Sequence, residues 1–389
     1  MIRLLTLLLS LALAACGGGG SNGTNSSAPN LAPATPVALE ANAVRITVEA
    51  GPGNNVNLPY VTLTICAPGT TTCQIIDHIL VDTGSTGLRL LASALTGVNL
   101  PAQSSVASSA VWECAQFLNF VVWGPVKLSD ITIGEKRAAS MPMQLVETTG
   151  SGCNNAALSA TSASELGANG ILGVGLFTND GQLYYNCAQP SRFCKINVAT
   201  SSQVQNPVTR FATDNNGVLL QLPAVASTGA TRIEGQMIFG VDTQSNNQLG
   251  AARVIQANSV GYFSTTYKGT VLPNSYIDSG SNGLYFDDPS LIQCSSYAGF
   301  YCPPSQQNLM ATITLRNGAS DTVPFSIANA STLFASGNYG FNNLGGGLSS
   351  SGFDWGLPFF LGRNVYTVIE GRSTSAGTGP LYAYTTLLP

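Results

Sequence analysis

His78-Ile79-Leu80-Val81-Asp82-Thr83-Gly84-Ser85-Thr86-Gly87-Leu88 has a counterpart in the second half of the chain, Ser275-Tyr276-Ile277-Asp278-Ser279-Gly280-Ser281-Asn282-Gly283-Leu284. Each is an apolar run that ends in Asp-Thr/Ser-Gly-Ser-x-Gly-Leu. One Asp-x-Gly alone is a common turn. Two long copies predict an internal duplication, each copy lifting one aspartate out of a strand on a tight turn that Gly84 and Gly280 permit. A second pair follows in the same order and at similar intervals: Asn169-Gly170-Ile171-Leu172-Gly173 and Phe359-Phe360-Leu361-Gly362. These read as apolar strands packed beneath the aspartate loops, with Gly173 and Gly362 allowing close backbone approach. Four matched segments predict two related lobes, residues 41–215 and 216–389.

Strand signals dominate the surroundings. Residues 61–66 and 74–81 are rich in β-branched side chains and read as a hairpin. Similar runs occur at 126–133, 217–222, 236–239, 311–315 and 366–370, with Gly or Asn between most of them. Helices are expected only as short pieces at 208–213 and 330–335. The fold class is therefore all-β.

Composition narrows the function. The 389 residues are 44% hydrophobic and only 9% charged, against about 25% charged in an average soluble chain. The net charge of −4 comes without a Lys/Arg run, which disfavours nucleic acid as a partner. No internal apolar stretch approaches the roughly 20 residues of a spanning helix. Arg3, the apolar residues 4–13 and Leu13-Ala14-Ala15-Cys16 resemble a bacterial lipoprotein signal. Residues 1–15 are then a signal peptide, Cys16 is the lipidated residue, and 16–40 form a flexible tether. Gly17 is not the aspartate that retains lipoproteins in the inner membrane. A lipid-anchored protein of the bacterial envelope is expected, in the outer membrane and facing the periplasm or the cell surface.

Setting Cys16 aside leaves an even number of the nine cysteines. Their spacing predicts local disulfides Cys66–Cys73, Cys187–Cys194 and Cys294–Cys302, and leaves Cys114 for Cys153. No C-x-x-C occurs and His78 is the single histidine, so no metal or cofactor is expected.

Two carboxylates held close together cannot both ionise easily, so they take up protons in coupled steps. One then serves as general base for a water and the other as general acid for an amide. Ser85 and Ser281 are placed to hydrogen-bond and orient these carboxylates.

The same segments resemble the pepsin-like aspartic proteases, and bacterial lipoproteins of that fold most of all in character. The likeness extends to Gly235-Gln236-Met237-Ile238-Phe239-Gly240-Val241-Asp242, to Gly261-Tyr262-Phe263 and to Leu361-Gly362-Arg363-Asn364-Val365-Tyr366-Thr367-Val368, and covers most of 44–370. It implies a bilobal acid-protease fold with Asp82 and Asp278 as the catalytic pair. It also implies that the Thr83 and Ser279 hydroxyls lock the two loops together.

The chain departs from that family at the flap. No Tyr-Gly-x-Gly occurs in 114–133; Phe117-Leu118-Asn119-Phe120-Val121-Val122-Trp123-Gly124-Pro125 stands there instead, in a segment that looks shorter. Arg89 takes the position of the tryptophan that pairs with the family's flap tyrosine. Trp123 is a candidate cover for the cleft, and Arg89 a candidate positive charge near Asp82. Strand alternation puts His78 on the face of Leu80 and Asp82, where a Ser-His-Asp triad would have to use it; a structural histidine is the expectation. The function expected is aspartic endopeptidase activity on peptide or protein substrates by a monomer. The alternative is an envelope lipoprotein of the same fold that binds peptide, glycan or a partner protein without cleaving it, because fold does not fix activity.

Overall fold

The computed structural model describes residues 39–104, 109–147, 160–188, 194–348 and 351–385. The expected signal peptide, Cys16 and nearly all of the tether lie outside these. β-Branched runs with a period of two make the described chain a protein of strands. Its α-helices, among the described residues, are the short Ala163–Leu166 and Ala330–Phe334. The first is held by a capping box, in which Ser162 Oγ accepts from Glu165 N and the Glu165 carboxylate accepts from Ser162 N.

The predicted hairpin pairs Pro59–Cys66 with Cys73–Asp82, and the Cys66–Cys73 disulfide staples its turn. Cys187–Cys194 and Cys294–Cys302 are also bridged. Cys114 is disulfide-bonded as well; Cys153, the partner expected for it, lies outside the described residues.

Among the described residues, fifteen strands form one sheet, seven a second and two a third. The large sheet runs across the middle of the chain. Ala43–Val48 pairs with Ile233–Phe239, which pairs with Gly217–Gln221, which pairs with Asn364–Val368. Strands from both halves thus share one floor.

The duplication is visible in strand order. In the first half, Gly170–Val174 lies between Cys73–Asp82 and Thr86–Leu91, parallel to one and antiparallel to the other. Asp82 stands opposite Gly173. A Cβ on Gly173 would lie 2.6 Å from the Thr86 backbone, so only glycine fits. In the second half, Asp354–Trp355 lies between Thr270–Ile277 and Leu284–Tyr285 in the same way. Tyr276 stands opposite Asp354, and Ile277 opposite Trp355. The next residue, Gly356, takes the place of Gly173. A Cβ there would lie 2.1 Å from Gly283 O and 2.6 Å from Ser281 O.

This corrects the sequence assignment. Phe359-Phe360-Leu361-Gly362 is not the counterpart of the first Ile-Leu-Gly. Leu357–Phe359 is a 3-10 turn, Leu361 makes one parallel bridge to Leu222, and Gly362 has φ of 80°. The true counterpart escapes notice because Asp354 interrupts the apolar pattern that marks the first copy.

Each aspartate loop rests on a dense core. Ile79, Val81, Leu88 and Leu90 are fully buried under the first, each contributing about 1.5–3 kcal/mol. Under the second, Phe353 stacks on Phe286 at 4.8 Å and on Trp355 at 4.1 Å. Such stacking adds about 0.5–1.5 kcal/mol beyond area. Gly356→Ala is expected to cost roughly 3 kcal/mol through backbone collision, and Gly362→Ala only about 1 kcal/mol for its left-handed φ. Urea denaturation of the two variants checks this order, and equal costs would contradict the assignment of Gly356.

Candidate active site

The two aspartates leave their strands on loops that grip each other. Thr83 N donates to Ser279 Oγ at 3.1 Å, and Ser279 N donates to Thr83 Oγ1 at 2.9 Å. Each hydroxyl passes its own proton across the seam, Ser279 Oγ to Val81 O at 2.7 Å and Thr83 Oγ1 to Ile277 O at 3.4 Å. All four groups are buried, where an unmade hydrogen bond costs about 1–3 kcal/mol.

Each carboxylate is cradled by its own loop. Asp82 Oδ1 accepts from Gly84 N at 2.8 Å and Ser85 N at 3.1 Å, and Oδ2 from Ser85 Oγ at 2.6 Å. Asp278 Oδ1 accepts from Gly280 N at 2.7 Å, and Oδ2 from Ser281 Oγ at 2.8 Å. The glycines serve the opposite loop. A Cβ on Gly84 would stand 2.5 Å from Asp278 Cγ, and one on Gly280 would stand 2.8 Å from Asp82 Cγ. Neither glycine has positive φ. Their lack of a side chain is needed for the approach of the two carboxyl groups, not for the turn that the sequence suggested.

Asp278 retains some surface towards the cleft, yet its carboxyl is enclosed by protein. Burial, then the neighbouring Asp82, then Asp354 hold it well above the usual carboxylate range. This favours the protonated form of Asp278.

Asp354 is the residue that the sequence did not reveal. It is fully buried, and burial pushes its carboxyl up to about 8. The Ser281 and Tyr276 hydroxyls face it and oppose that rise, but no hydrogen bond of good geometry closes on either of its oxygens.

The cleft above the pair has a volume of about 540 Å³ and is lined in part by Gln116, Phe117 and Leu118. These belong to a flap-like hairpin of Trp112–Gln116 and Val121–Ile133. Its tip is closed by Phe117 N donating to Phe120 O and by the two phenylalanine rings stacked at 4.5 Å. Leu118 is 75% exposed at the tip. A hairpin therefore reaches the cleft without the Tyr-Gly-x-Gly sequence.

Trp123 does not line the cleft. It is buried in the hairpin's own cluster, 5.6 Å from Trp112 and 5.3 Å from Tyr185. Arg89 does reach the cleft wall, but its charge is spent elsewhere. It donates to Glu113 Oε1 at 2.7 Å, Asp180 Oδ2 at 2.6 Å and Thr86 O at 2.7 Å. All three side chains are buried, and burial holds the Glu113 carboxyl well above its ordinary range; the cluster braces the hairpin and makes no bond to Asp82. His78 adopts φ of 48° where the hairpin register shifts. That break defeats the alternation, and His78 sits against Tyr60, Asp77 and Glu49 instead. No cluster of His, Cys, Asp and Glu fit to hold a metal occurs among the described residues.

Fold and site together define a two-lobed acid-protease architecture with one aspartate from each lobe. An aspartic proteinase from Irpex lacteus has this architecture, with a TM-score of 0.50 and 16% identity over 89% of this chain and 97% of the other. No curated protein matches the chain. The chain belongs to the family described as "Protein of unknown function (DUF3443)", which matches residues 38–384.

Asp354 also imposes a pH signature. It holds its proton up to about 8 in the fold but gives it up near 4 once unfolded. Its contribution is fully present below about pH 4 and is lost as pH rises through about 8. Asp354→Asn is expected to remove a decline in stability on the order of 3–6 kcal/mol between these limits. Denaturant unfolding of both proteins from pH 4 to 8 measures it; parallel curves would contradict a proton on Asp354.

Proposed function

We propose that the protein is an aspartic endopeptidase that works in the bacterial cell envelope as a lipid-anchored monomer. The observation that carries this is the pair itself: two carboxyl groups from opposite lobes, in matching cradles, at the floor of a cleft. With the proton on Asp278, the Asp82 carboxylate is free to take a proton from a water lying between them. That water attacks the scissile carbonyl while Asp278 gives its proton to the carbonyl oxygen. As the C–N bond breaks, the proton acquired by Asp82 goes to the leaving nitrogen and Asp278 takes one back from a hydroxyl of the tetrahedral carbon, so the pair returns to one shared proton. The hairpin tip at Phe117 and Leu118 supplies apolar surface to hold an extended peptide over the pair and to keep bulk water out.

The test uses full-length protein and a mixed peptide library from acid to neutral pH, with products read by mass spectrometry. Asp82→Asn and Asp278→Asn are each expected to lower cleavage roughly a thousandfold. No cleavage by folded parent protein at any pH would turn the cleft into a binding site. For the anchor, radiolabelled palmitate is expected to label the parent in a bacterial host and not Cys16→Ser. Equal labelling would remove the lipoprotein assignment.

A further inference from the structure

The two lobes repeat each other except directly beneath the second aspartate. Leu80 stands opposite Ile171 two residues before Asp82, and Tyr276 stands opposite Asp354 two residues before Asp278. An apolar pair in one lobe is a phenol and a carboxyl in the other. Ser281 links this pair to the site, because its hydroxyl donates to Asp278 Oδ2 at 2.8 Å and also faces Asp354. We propose that Asp354 is a positioning residue of the site, which acts through Ser281 and through its own charge to keep a proton on the aspartate pair. It thereby sets the alkaline limit of the working range. For turnover, the proposal rests on the peptidase reading; for the protons themselves, it does not.

Ser281 has a single proton to give. While Asp354 is neutral, its hydroxyl can donate to Ser281 Oγ and leave the serine proton to Asp278. Once Asp354 ionises, it competes for that proton and adds a like charge. Asp278 then loses a donor and gains a repulsive neighbour, and both changes strengthen its hold on its own proton. The groups facing Asp354 offer no relief. They are Tyr276 and Asp278 from one strand and its loop, Tyr285 from the next, Asp82 across the seam, and Tyr382 from Leu381–Tyr384. All are acids or phenols. Asp278 and Asp354 therefore titrate as a coupled set.

The experiment is a carbon-13 NMR titration of the aspartate carboxyls in the full chain, for the parent, Asp354→Asn and Asp354→Ile. The isoleucine copies Ile171. In the parent, Asp354 is expected to titrate near or above neutral pH. In both variants the Asp278 midpoint is expected to fall by about one pH unit. The alkaline limb of kcat/KM for a cleaved peptide should fall with it, while the acid limb stays. A parent Asp354 titrating near 4 would overturn the proposal without any variant, as would folded variants in which Asp278 does not move. A parent that cleaves nothing but shows the Asp278 shift would sink the peptidase reading and leave the proton assignment standing.

Discussion

The structure turns on forcing two carboxyl groups together across the seam between its halves. Like charges repel, and in a buried site that repulsion is not screened by water. The chain opposes it with backbone amides and hydroxyls fixed in each loop. Thr83 and Ser279 make the two loops a single rigid unit, so the approach of the carboxyls is settled when the sheet assembles. Gly84 and Gly280 are the steric condition, because a methyl group on either would occupy the opposite carboxyl's place.

The parts legible in the sequence are those that physics makes repetitive. A carboxylate lifted from a strand needs an amide, a hydroxyl and a gap, and Asp-Thr/Ser-Gly-Ser supplies them twice. Short-range disulfides were legible for a similar reason, since seven or eight residues bring two cysteines of a turn together. The second packing strand was not legible. Asp354 occupies an apolar position of the repeat, and Leu361-Gly362 nearby offered a better apolar match in the wrong place. Arg89 could be assigned to the cleft wall but not to its partners, and Trp123, expected over the cleft, is turned into the hairpin's own cluster. Glu113 and Asp180, which accept hydrogen bonds from Arg89, lie on separate segments that only the tertiary fold brings together. His78 failed for a local reason, because one left-handed residue reverses the faces of a strand.

Buried acids without bases are an expense that a fold meets only where something else requires it. The Arg89 cluster at least pairs its carboxylates with a guanidinium. Asp354 has no ion pair among the described residues, and both its oxygens lack a well-formed hydrogen bond. An apolar residue of similar size would pack more favourably there, as Ile171 does in the other lobe. Departures of this kind from local consistency concentrate at functional sites.

The pairing of Ala43–Val48 with Ile233–Phe239 has a consequence for how the chain matures. This strand, the first of the described residues, has one neighbour close by in Pro59–Cys66 but finds the other only after more than half of the chain has been made. Until then that second edge is unpaired and open to association with other chains. Folding with so many contacts between distant segments is slow. A protein built this way gains from staying unfolded until the whole chain is available to complete the sheet. For the same reason, severing the chain between its halves would not release two domains but would leave each with a raw sheet edge.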